Sequence, residues 1–226
     1  MTTETAPVIT IDGPSGSGKG TISHAVAAAL GWHYLDSGSL YRLLAFAAVR
    51  ESIALNDESA LVALADRLPV SCQLPEPGDA AILLNGVDIA GELRTEAAGA
   101  AASRIAVLPG VRAALLDWQQ RCRQPPGLVA DGRDMGTVVF PDADLKLFLT
   151  ASPRVRAERR YKQLKNIGKK VDLESLVADV EARDQRDSSR SAAPLCAADD
   201  ALVIDNSDLN EADTVAMVLE ALHKKI

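Results

Sequence analysis

Short runs of apolar residues alternate along this chain with longer segments whose apolar residues recur at helical spacing. The short runs are typical of buried strands because they are rich in aliphatic and β-branched residues and end at Gly, Pro or Asp. They lie at 7–12, 32–36, 127–131, 144–150 and 201–205. Helical segments run to Leu30, over 39–51, onward from Ser152 and after Asn210. This order predicts an α/β fold with a mostly parallel sheet and helices on both faces.

Capping residues mark three of the predicted helix ends. Gly31 follows the first helix and allows the left-handed conformation in which helices commonly end. Ser152 precedes Pro153, which pairs an N-cap hydroxyl with proline at the first helical position. Asn210 caps the final helix, and we expect that helix to end at the lysines of 224–225, where positive charge is favourable for the helix dipole.

Residues 69–96 interrupt the alternation of strands and helices. Prolines and a glycine separate short strand-like runs at 70–74 and 80–84, and Asn85-Gly86 is a strong signal for a hairpin turn. We therefore expect a small antiparallel insert at this point. The predicted core domain comprises residues 1–68 and 97–226, and the predicted insert comprises residues 69–96. Residues 97–102, within the core, are predicted to form a short helix of small residues.

The composition is that of a folded soluble protein. Hydrophobic residues make up 47% and charged residues 24% of the 226 residues, which argues against a disordered chain. No apolar run approaches the ~18 residues of a membrane span, and the N-terminal MTTETAP lacks the apolar core of a secretory signal. Three cysteines and three histidines lack the spacing of a disulfide framework or a zinc site. We expect a cytoplasmic protein with no membrane partner.

The net charge of −7 disfavours a nucleic-acid partner, which requires a basic surface. The charge is unevenly distributed along the chain. Residues 154–190 contain seven Arg and four Lys against seven acidic residues, a net charge of +4. This segment is therefore suited to a small anionic ligand even though the whole chain is acidic.

The segment Gly13–Thr21, GPSGSGKGT, carries the sharpest chemical signal. It lies between a predicted strand and a predicted helix and has the spacing of a phosphate-binding P-loop. Its glycines let backbone N–H groups converge on phosphate oxygens, the helix N-terminus adds positive potential, and Lys19 reaches the β- and γ-phosphates. The predicted nucleotide-binding residues are Gly13, Pro14, Ser15, Gly16, Ser17, Gly18, Lys19, Gly20 and Thr21.

Two residues near this loop bear on the metal ion and on the class of protein. Gly20 stands where a P-loop usually has the Ser or Thr that binds magnesium, which disfavours a GTPase. Asp131 ends the strand at 127–131 and is the candidate carboxylate for Mg²⁺, directly or through water. The alternative is that Asp131 only forms the turn at the strand end. The glycine spacing also differs from the G-x-G-x-x-G of dinucleotide-binding folds.

Two predicted helices within 154–190 present arginines on one face, and the polar stretch 166–170 joins them. At helical spacing the arginines are Arg156, Arg159 and Arg160 on one helix and Arg183, Arg186 and Arg190 on the other. A guanidinium group binds phosphoryl oxygens in a bidentate manner and stabilises charge on a transferring phosphoryl group. We predict a lid over phosphates, with Arg159 binding ATP. The alternative is two solvated helix faces paired with nearby acidic residues.

Longer motifs extend the signal beyond the P-loop. They are ITIDGPSGSGKGT at 9–21, LDSGSLYR at 35–42, ADGRDMGTVVFPDA at 130–143, RAERR at 156–160 and ARDQRDSSR at 182–190. In these motifs the chain resembles the bacterial cytidylate kinases along nearly its whole length. The resemblance implies a P-loop NTPase-type fold with a five-stranded parallel sheet flanked by helices. It also implies that 69–96 enlarges the nucleoside-monophosphate-binding region and that a short helical lid covers about 154–190.

The resemblance further implies the reaction and its small-molecule partners. ATP with Mg²⁺ donates a phosphoryl group to CMP or dCMP, giving ADP and the diphosphate, and the protein is a monomer. Catalytic roles are implied for Lys19, Arg133, Arg183 and Arg190. No Ser, Cys or His stands in a recognisable arrangement of nucleophile and base, so we expect no covalent intermediate.

Residues that recognise the base are implied in the same way. Ser37 and Asp134 resemble the residues that read cytosine, whose exocyclic amino group donates hydrogen bonds and requires acceptors. Arg112 and Ser103 resemble further base contacts. From the residues alone, Ser37 could instead be a helix N-cap, Arg112 a surface residue, and Asp134 a carboxylate that only holds Arg133.

The remaining implied contacts are to the phosphate and the sugar of the monophosphate. Arg42, Arg133 and Arg190 resemble a clamp on the phosphate, and Asp187 with Arg183 resembles the contacts to the sugar hydroxyls. The alternative for Asp187 is a simple pair with Arg190, three residues along the same helix.

Two other functions are also compatible with the P-loop. One is a different small P-loop kinase, of the adenylate, uridylate or shikimate type, and the other is a nucleotide-binding switch without transferase activity. Asp134 together with Ser37 favours a cytosine reader over the other kinases, and Gly20 disfavours the switch.

Overall fold

The computed structural model describes residues 5–68, 83–84, 87–93, 95–190 and 193–225. A five-stranded sheet in the order β2-β5-β1-β6-β7 forms its centre, and every neighbouring pair of strands in this sheet is parallel. The strands are β1 (Val8–Asp12), β2 (His33–Asp36), β3 (Leu83–Leu84), β4 (Val87–Asp88), β5 (Leu128–Gly132), β6 (Leu145–Thr150) and β7 (Leu202–Asp205). The predicted α/β class and the five predicted strands are confirmed.

Helices cover both faces of the sheet, as the alternation of elements predicts. They are α1 (Lys19–Leu30), α2 (Ser37–Arg50), α3 (Glu58–Arg67), α4 (Ala90–Leu93), α5 (Glu96–Ile105), α6 (Pro109–Gln120), α7 (Pro153–Asn166), α8 (Leu173–Ser188) and α9 (Glu211–His223). Ile9 and Ile11 of β1 pack with α1 and α9. Val8 packs on the opposite face with Leu40 of α2 and with Phe140. Successive side chains of β1 are thus buried on opposite faces, as the period of a central strand requires.

Parallel pairing places the carboxyl ends of the strands at one edge of the sheet. Asp12, at the end of β1, lies opposite Gly132 in β5 and Phe148 in β6. Asp36, at the end of β2, lies opposite Asp131 of β5. Ligands bind at this edge in open α/β sheets, so three buried or half-buried carboxylates are concentrated where a ligand is expected.

The predicted helix ends are largely correct. Gly31 ends α1 with φ 64°, the Ser152 hydroxyl accepts from Val155 N at 3.3 Å, and the Asn210 side chain accepts from Asp213 N at 2.9 Å. The final helix ends at His223, slightly before the predicted lysines. Lys224 is its C-cap, where its charge is still favourable for the dipole.

The predicted insert falls mainly on residues outside the described ranges. Within those ranges, β3 and β4 pair antiparallel, with Leu83 opposite Asp88. Asn85-Gly86 and the run at 70–74 lie outside the described residues, so the division into 69–96 and a core domain stays a prediction. The predicted helix at 97–102 is confirmed and extends over α5.

Helices α7 and α8 form the predicted lid segment and pack against each other, joined by the residues around Gly168. Within the described ranges, no single helix has the length and apolar character to cross a membrane. One bent pair, Ala97–Ile105 with Pro109–Gln120, reaches that length and composition together, with a bend of 104° between its halves.

Candidate active site

The P-loop connects the end of β1 to the start of α1. Gly13 passes so close to β6 that a Cβ atom there would collide with the Leu149 carbonyl. Gly18 is the N-cap of α1 with φ 90°, a left-handed conformation that strains other residues. The P-loop glycines thus allow the backbone to turn tightly and leave the helix N-terminus open for an anion.

Lys19 extends from the first turn of α1 into a cleft of about 250 Å³. Its Nζ donates to the Pro14 carbonyl at 3.2 Å. Burial and the nearby positive charges, Arg133 foremost, lower the pKa of Lys19 to about 7. Such a lysine gains a favourable partner when a phosphate group enters the cleft.

Arg156 hydrogen-bonds to the P-loop backbone and does not line the cleft. Its Nε donates to the Ala151 carbonyl at 2.8 Å, and its Nη1 donates to the Ser15 carbonyl at 3.1 Å and to Asp184 at 2.9 Å. The prediction that Arg156 belongs to a phosphate-facing surface is therefore wrong. Helical spacing places an arginine on a face, but it does not show whether that face is turned to the ligand or to the protein.

Replacing Arg156 tests this structural role. Arg156→Ala leaves the Asp184 carboxylate and two backbone carbonyls without their donor. We therefore expect the free energy of unfolding to fall by about 3 kcal/mol. Arg154→Ala is the matched control because the Arg154 side chain is 60% exposed and pairs only with Glu158 and Glu174 among the described ion pairs. Arg154→Ala should lower the free energy of unfolding by less than about 1 kcal/mol. Urea denaturation measures both, and equal costs would refute a structural role for Arg156.

Arg159 lies one turn further along α7 and also contacts the P-loop. Its Nη1 donates to the Ser17 carbonyl at 3.2 Å and to Asn206 Oδ1 at 3.1 Å, and its Nη2 donates to the Asn206 carbonyl at 2.8 Å. The Asn206 amide donates to the same Ser17 carbonyl at 2.8 Å. Arg159 thus lies beside the predicted ATP site, fixed by the loop that follows β7.

Asp134 and Arg112 form a buried ion pair on the other side of the cleft. Their side chains are only 8% and 11% exposed. Asp134 precedes a π-helical turn, Met135–Val139, but its side chain makes no capping bond to it. Its carboxylate does not bond Arg133, whose Nε donates instead to Asp187 at 2.9 Å. Neither the surface alternative for Arg112 nor the Arg133-holding alternative for Asp134 agrees with these contacts.

Asp187 lies at the centre of an arginine cluster. Arg133 and Arg190 hydrogen-bond to its carboxylate, and Arg183 lies at 4.0 Å from it. Burial by itself would raise the pKa of Asp187, but these arginines hold it below its ordinary value. Burial and the charge of Arg133 lower the pKa of Arg183 to about 10. The predicted pair of Asp187 with Arg190 exists, within a cluster that contains more positive than negative charge.

The other predicted substrate residues line the same cleft. Ser37 is buried at the start of α2, whose N-cap is Asp36, so the N-cap alternative for Ser37 is wrong. Arg42 donates to the Leu93 carbonyl at 3.1 Å, and the Ser103 hydroxyl donates to the Gly99 carbonyl at 3.0 Å. Of the predicted site residues, those lining the cleft are Ser15, Gly16, Lys19, Gly20, Ser37, Arg42, Ser103, Arg112, Asp131, Arg133, Asp134, Arg183, Asp187 and Arg190.

Asp131 lies at the floor of the cleft, close to Gly20. Its Oδ2 accepts a hydrogen bond from the Tyr34 hydroxyl at 2.6 Å. Burial and the charge of Asp36 raise the pKa of Asp131 to about 7. A Cβ atom on Gly20 would lie 3.6 Å from both Asp131 Oδ2 and the Tyr34 hydroxyl. The place where other P-loops carry a hydroxyl is thus next to this carboxylate and the tyrosine.

Comparison with known proteins agrees with this arrangement of residues. The profile of the cytidylate kinase family matches residues 9–224. Cytidylate kinase from Methylococcus capsulatus is 55% identical over 219 residues, covering 97% of this chain and 98% of the relative. Cytidylate kinase from Pseudomonas putida strain W619 is 56% identical over 206 residues, covering 91% and 90%. This chain belongs to the cytidylate kinase family.

The fold itself is also found in a solved structure of another protein. A solved structure of an uncharacterized protein from Eubacterium ventriosum superposes with a TM-score of 0.53 at 10% identity, covering 96% of this chain and 98% of that one. At this identity the likeness concerns the fold alone. The family profile and the curated relatives carry the more specific relationship, and the cytidylate kinase motifs quoted above contain most of the residues that line the cleft.

Three residues of the site did not stand out in the sequence. Asp12 ends a buried strand directly before the P-loop, much as Asp131 is the next-to-last residue of β5, and that parallel was the available signal. Asn206 directly follows β7, where the carboxyl ends of parallel strands meet. Tyr34 lies inside β2, and nothing in its local pattern separates it from an ordinary strand residue.

Proposed function

We propose that this chain transfers the γ-phosphoryl group of ATP to CMP or dCMP, giving ADP and CDP or dCDP. One observation carries the proposal for a member of the cytidylate kinase family. A P-loop lysine, an arginine cluster and a buried Asp134–Arg112 pair face one cleft. The P-loop lysine, the arginine cluster and the base-recognition pair can therefore bind an ATP donor and a CMP acceptor side by side in one cleft.

The arginine cluster is suited to the phosphate of the acceptor nucleotide. Arg42, Arg133 and Arg190 are assigned to this phosphate, and Arg183 with Asp187 to the sugar. The Nε atoms of Arg183 and Arg190 are buried and have no hydrogen-bond partner within the described residues. Oxygens of a bound phosphate would accept from such donors and would neutralise the excess positive charge.

The buried pair of Asp134 and Arg112 is suited to cytosine. The carboxylate accepts from the exocyclic amino group, and the guanidinium donates to the ring nitrogen and carbonyl. Ser37 and Ser103 supply hydroxyl groups nearby. Uracil presents a carbonyl where cytosine has its amino group, so an ionised Asp134 disfavours it.

The donor set fits magnesium bound together with the nucleotide. Within the described ranges, no three His, Cys, Asp or Glu side chains are grouped to hold a metal ion. Mg²⁺ is usually bound in such enzymes through one or two carboxylates, with phosphate oxygens and water completing the shell. Asp131 supplies the carboxylate, beside Asp36 across the sheet. When bound, the ion neutralises charge on the phosphates.

The reaction needs positioning more than acid–base chemistry. An oxygen of the acceptor phosphate forms a bond to the γ-phosphorus as the bond to the ADP oxygen breaks, and that acceptor oxygen is already nucleophilic. Lys19 and the arginines stabilise the migrating charge, with Arg133, Arg183 and Arg190 between the two nucleotides. Arg159 is assigned to ATP. Exclusion of water by α7 and α8 limits hydrolysis of ATP.

Closure of the segment 154–190 is a testable consequence. We expect its amides to exchange slowly only when ATP and CMP analogues are both bound, because two sets of phosphates neutralise its net charge. Hydrogen-exchange mass spectrometry of the free, singly bound and doubly bound protein measures this. Exchange that is equal in all these states would refute a lid in this segment, and α9 serves as the internal control.

The proposed setting is that of a soluble monomer in the cytoplasm, acting on small nucleotides without nucleic-acid or membrane partners. The product test is ³¹P NMR of a mixture of the protein with ATP, Mg²⁺ and CMP. We expect equal amounts of ADP and CDP. Inorganic phosphate in place of CDP would contradict the proposed reaction.

A further inference from the structure

Asp12 uses both of its carboxylate oxygens on the turn that follows Asp134. Its Oδ1 accepts from Met135 N at 2.9 Å, and its Oδ2 accepts from Gly136 N at 2.8 Å. The Asp12 side chain is buried, and it reaches this turn from the neighbouring strand. These two N–H groups are the first of the π-helical turn Met135–Val139, so they need an acceptor from outside the turn.

A carboxylate at Asp134 would ordinarily supply that acceptor. Asp is a preferred N-cap residue because its side chain accepts from the first free N–H groups of the turn that it precedes. Asp134 occupies the N-cap position but makes no such bond. Instead it pairs with Arg112 in the cleft. The capping task is thus performed by a residue more than a hundred positions away in the chain.

The surrounding glycine supports this close approach. A Cβ atom on Gly136 would lie 2.8 Å from the Thr10 hydroxyl and 3.2 Å from the Lys146 side chain. The turn therefore lies against β1 at a distance that glycine permits. Asp12 is also the residue before Gly13, so the strand that ends in the P-loop also holds the turn behind Asp134.

We propose that Asp12 is a positioning residue for base recognition, capping the Met135–Val139 turn in place of Asp134 and so leaving Asp134 available to cytosine. The inference rests on the proposed function and adds a residue to it. Asp12 is not among the residues that line the cleft, and its carboxylate acts through the turn that follows Asp134. Burial raises the pKa of Asp12 to about 6 while the two backbone N–H groups oppose that rise, so the carboxylate is mostly ionised at neutral pH.

Asp12→Asn tests the proposal because the amide keeps one acceptor and turns a donor toward the second N–H. We expect kcat/KM for CMP to fall at least about tenfold and the CMP-to-UMP ratio to narrow at least about fivefold. The KM for ATP should stay within about twofold, since the variant leaves the P-loop contacts in place. Loss of ATP and CMP affinity in equal measure would overturn the proposal in favour of a merely structural role.

Asp144→Asn is the matched control. The Asp144 carboxylate accepts from Val8 N at 2.7 Å, at the opposite end of the same strand. The amide keeps one oxygen to accept from Val8 N but removes the carboxylate charge, so the variant weakens a bond between β1 and a side chain outside the cleft. We expect stability to fall and the CMP-to-UMP ratio to remain that of the wild type. A ratio narrowed as much as in Asp12→Asn would overturn the proposal.

A double-variant cycle shows whether Asp12 acts through Asp134. With Asp134→Ala as background, Asp12→Asn should leave the CMP-to-UMP ratio unchanged within about twofold, because the residue that it positions is absent. If the effects of the two substitutions on the CMP-to-UMP ratio multiplied fully, Asp12 would act independently of Asp134, and the proposal would be overturned. If Asp12→Asn does not fold, Gly136→Ala pushes on the same contact from the other side and should reproduce the CMP-selective loss. A normal ratio in that variant would overturn the proposal too.

The wild type is assayed in parallel, which distinguishes failure of the proposed function from failure of the role assigned to Asp12. If the wild type does not phosphorylate CMP, the proposed function fails. If it does so while Asp12→Asn keeps the wild-type ratio, the inference about Asp12 fails alone.

Discussion

Lys19→Ala is expected to lower kcat at least about a hundredfold while the protein stays folded. The lysine supplies a positive donor to the phosphates in the transition state, and loss of one such donor costs about 3 kcal/mol or more. Within the described hydrogen bonds, Lys19 contacts only the Pro14 carbonyl, and burial near Arg133 already lowers its pKa. Its removal should therefore leave the free energy of unfolding unchanged or slightly increased.

Single-turnover kinetics and thermal unfolding measure these two effects separately. Lys224→Ala is the control, because Lys224 is an exposed lysine in the C-cap of α9, paired with Glu220. It should keep full activity. Turnover of a folded Lys19→Ala protein near the wild-type rate would refute the P-loop assignment.

Asp134→Asn is expected to narrow the CMP-to-UMP ratio of kcat/KM at least about tenfold, the value of one good hydrogen bond in a buried site. The amide can turn its NH₂ toward the uracil carbonyl, which the carboxylate opposes. Asp134→Ala should lower kcat/KM for CMP without raising kcat/KM for UMP, because it removes the repulsion of the uracil carbonyl but offers no donor to it. The Asn variant should thus lose efficiency with CMP and gain relative efficiency with UMP.

Arg133→Ala is the control for base recognition. Arg133 belongs to the cluster around Asp187, and the phosphate it is assigned to is common to both nucleotides. Arg133→Ala should therefore lower kcat/KM for CMP and for UMP by about the same factor. A wild-type ratio in the Asn variant would show that Asp134 does not read the base and only anchors Arg112.

Local chemistry made most of the fold predictable. The strand at Val8–Asp12, the Gly31 stop, and the Ser152 and Asn210 caps each follow from residues within a few positions. The order of the strands does not follow in this way, because it depends on which chain segments meet in space. The π-helical turn at Met135–Val139 was not evident, since no apolar period separates it from its surroundings. Helix α3 was not predicted, although Asp57 caps it and its buried Leu61 and Leu64 lie at helical spacing.

The candidate site was predictable where it forms a motif and unpredictable where it forms a contact. The P-loop and the motif around Asp134 are contiguous, so the sequence alone reveals them. The bonds from Asp12 to Met135 and Gly136 span more than a hundred residues, and the burial of Arg156 depends on Asp184 of the next helix. Such features are set by tertiary packing, which the pattern of one segment does not encode.

The most direct test of the central claim is release of ADP in a coupled assay, with and without CMP. We expect rapid ADP formation with ATP, Mg²⁺ and CMP, slower formation with UMP, and almost none with AMP or without an acceptor. ADP formed at the same rate without CMP, or faster with AMP than with CMP, would contradict it.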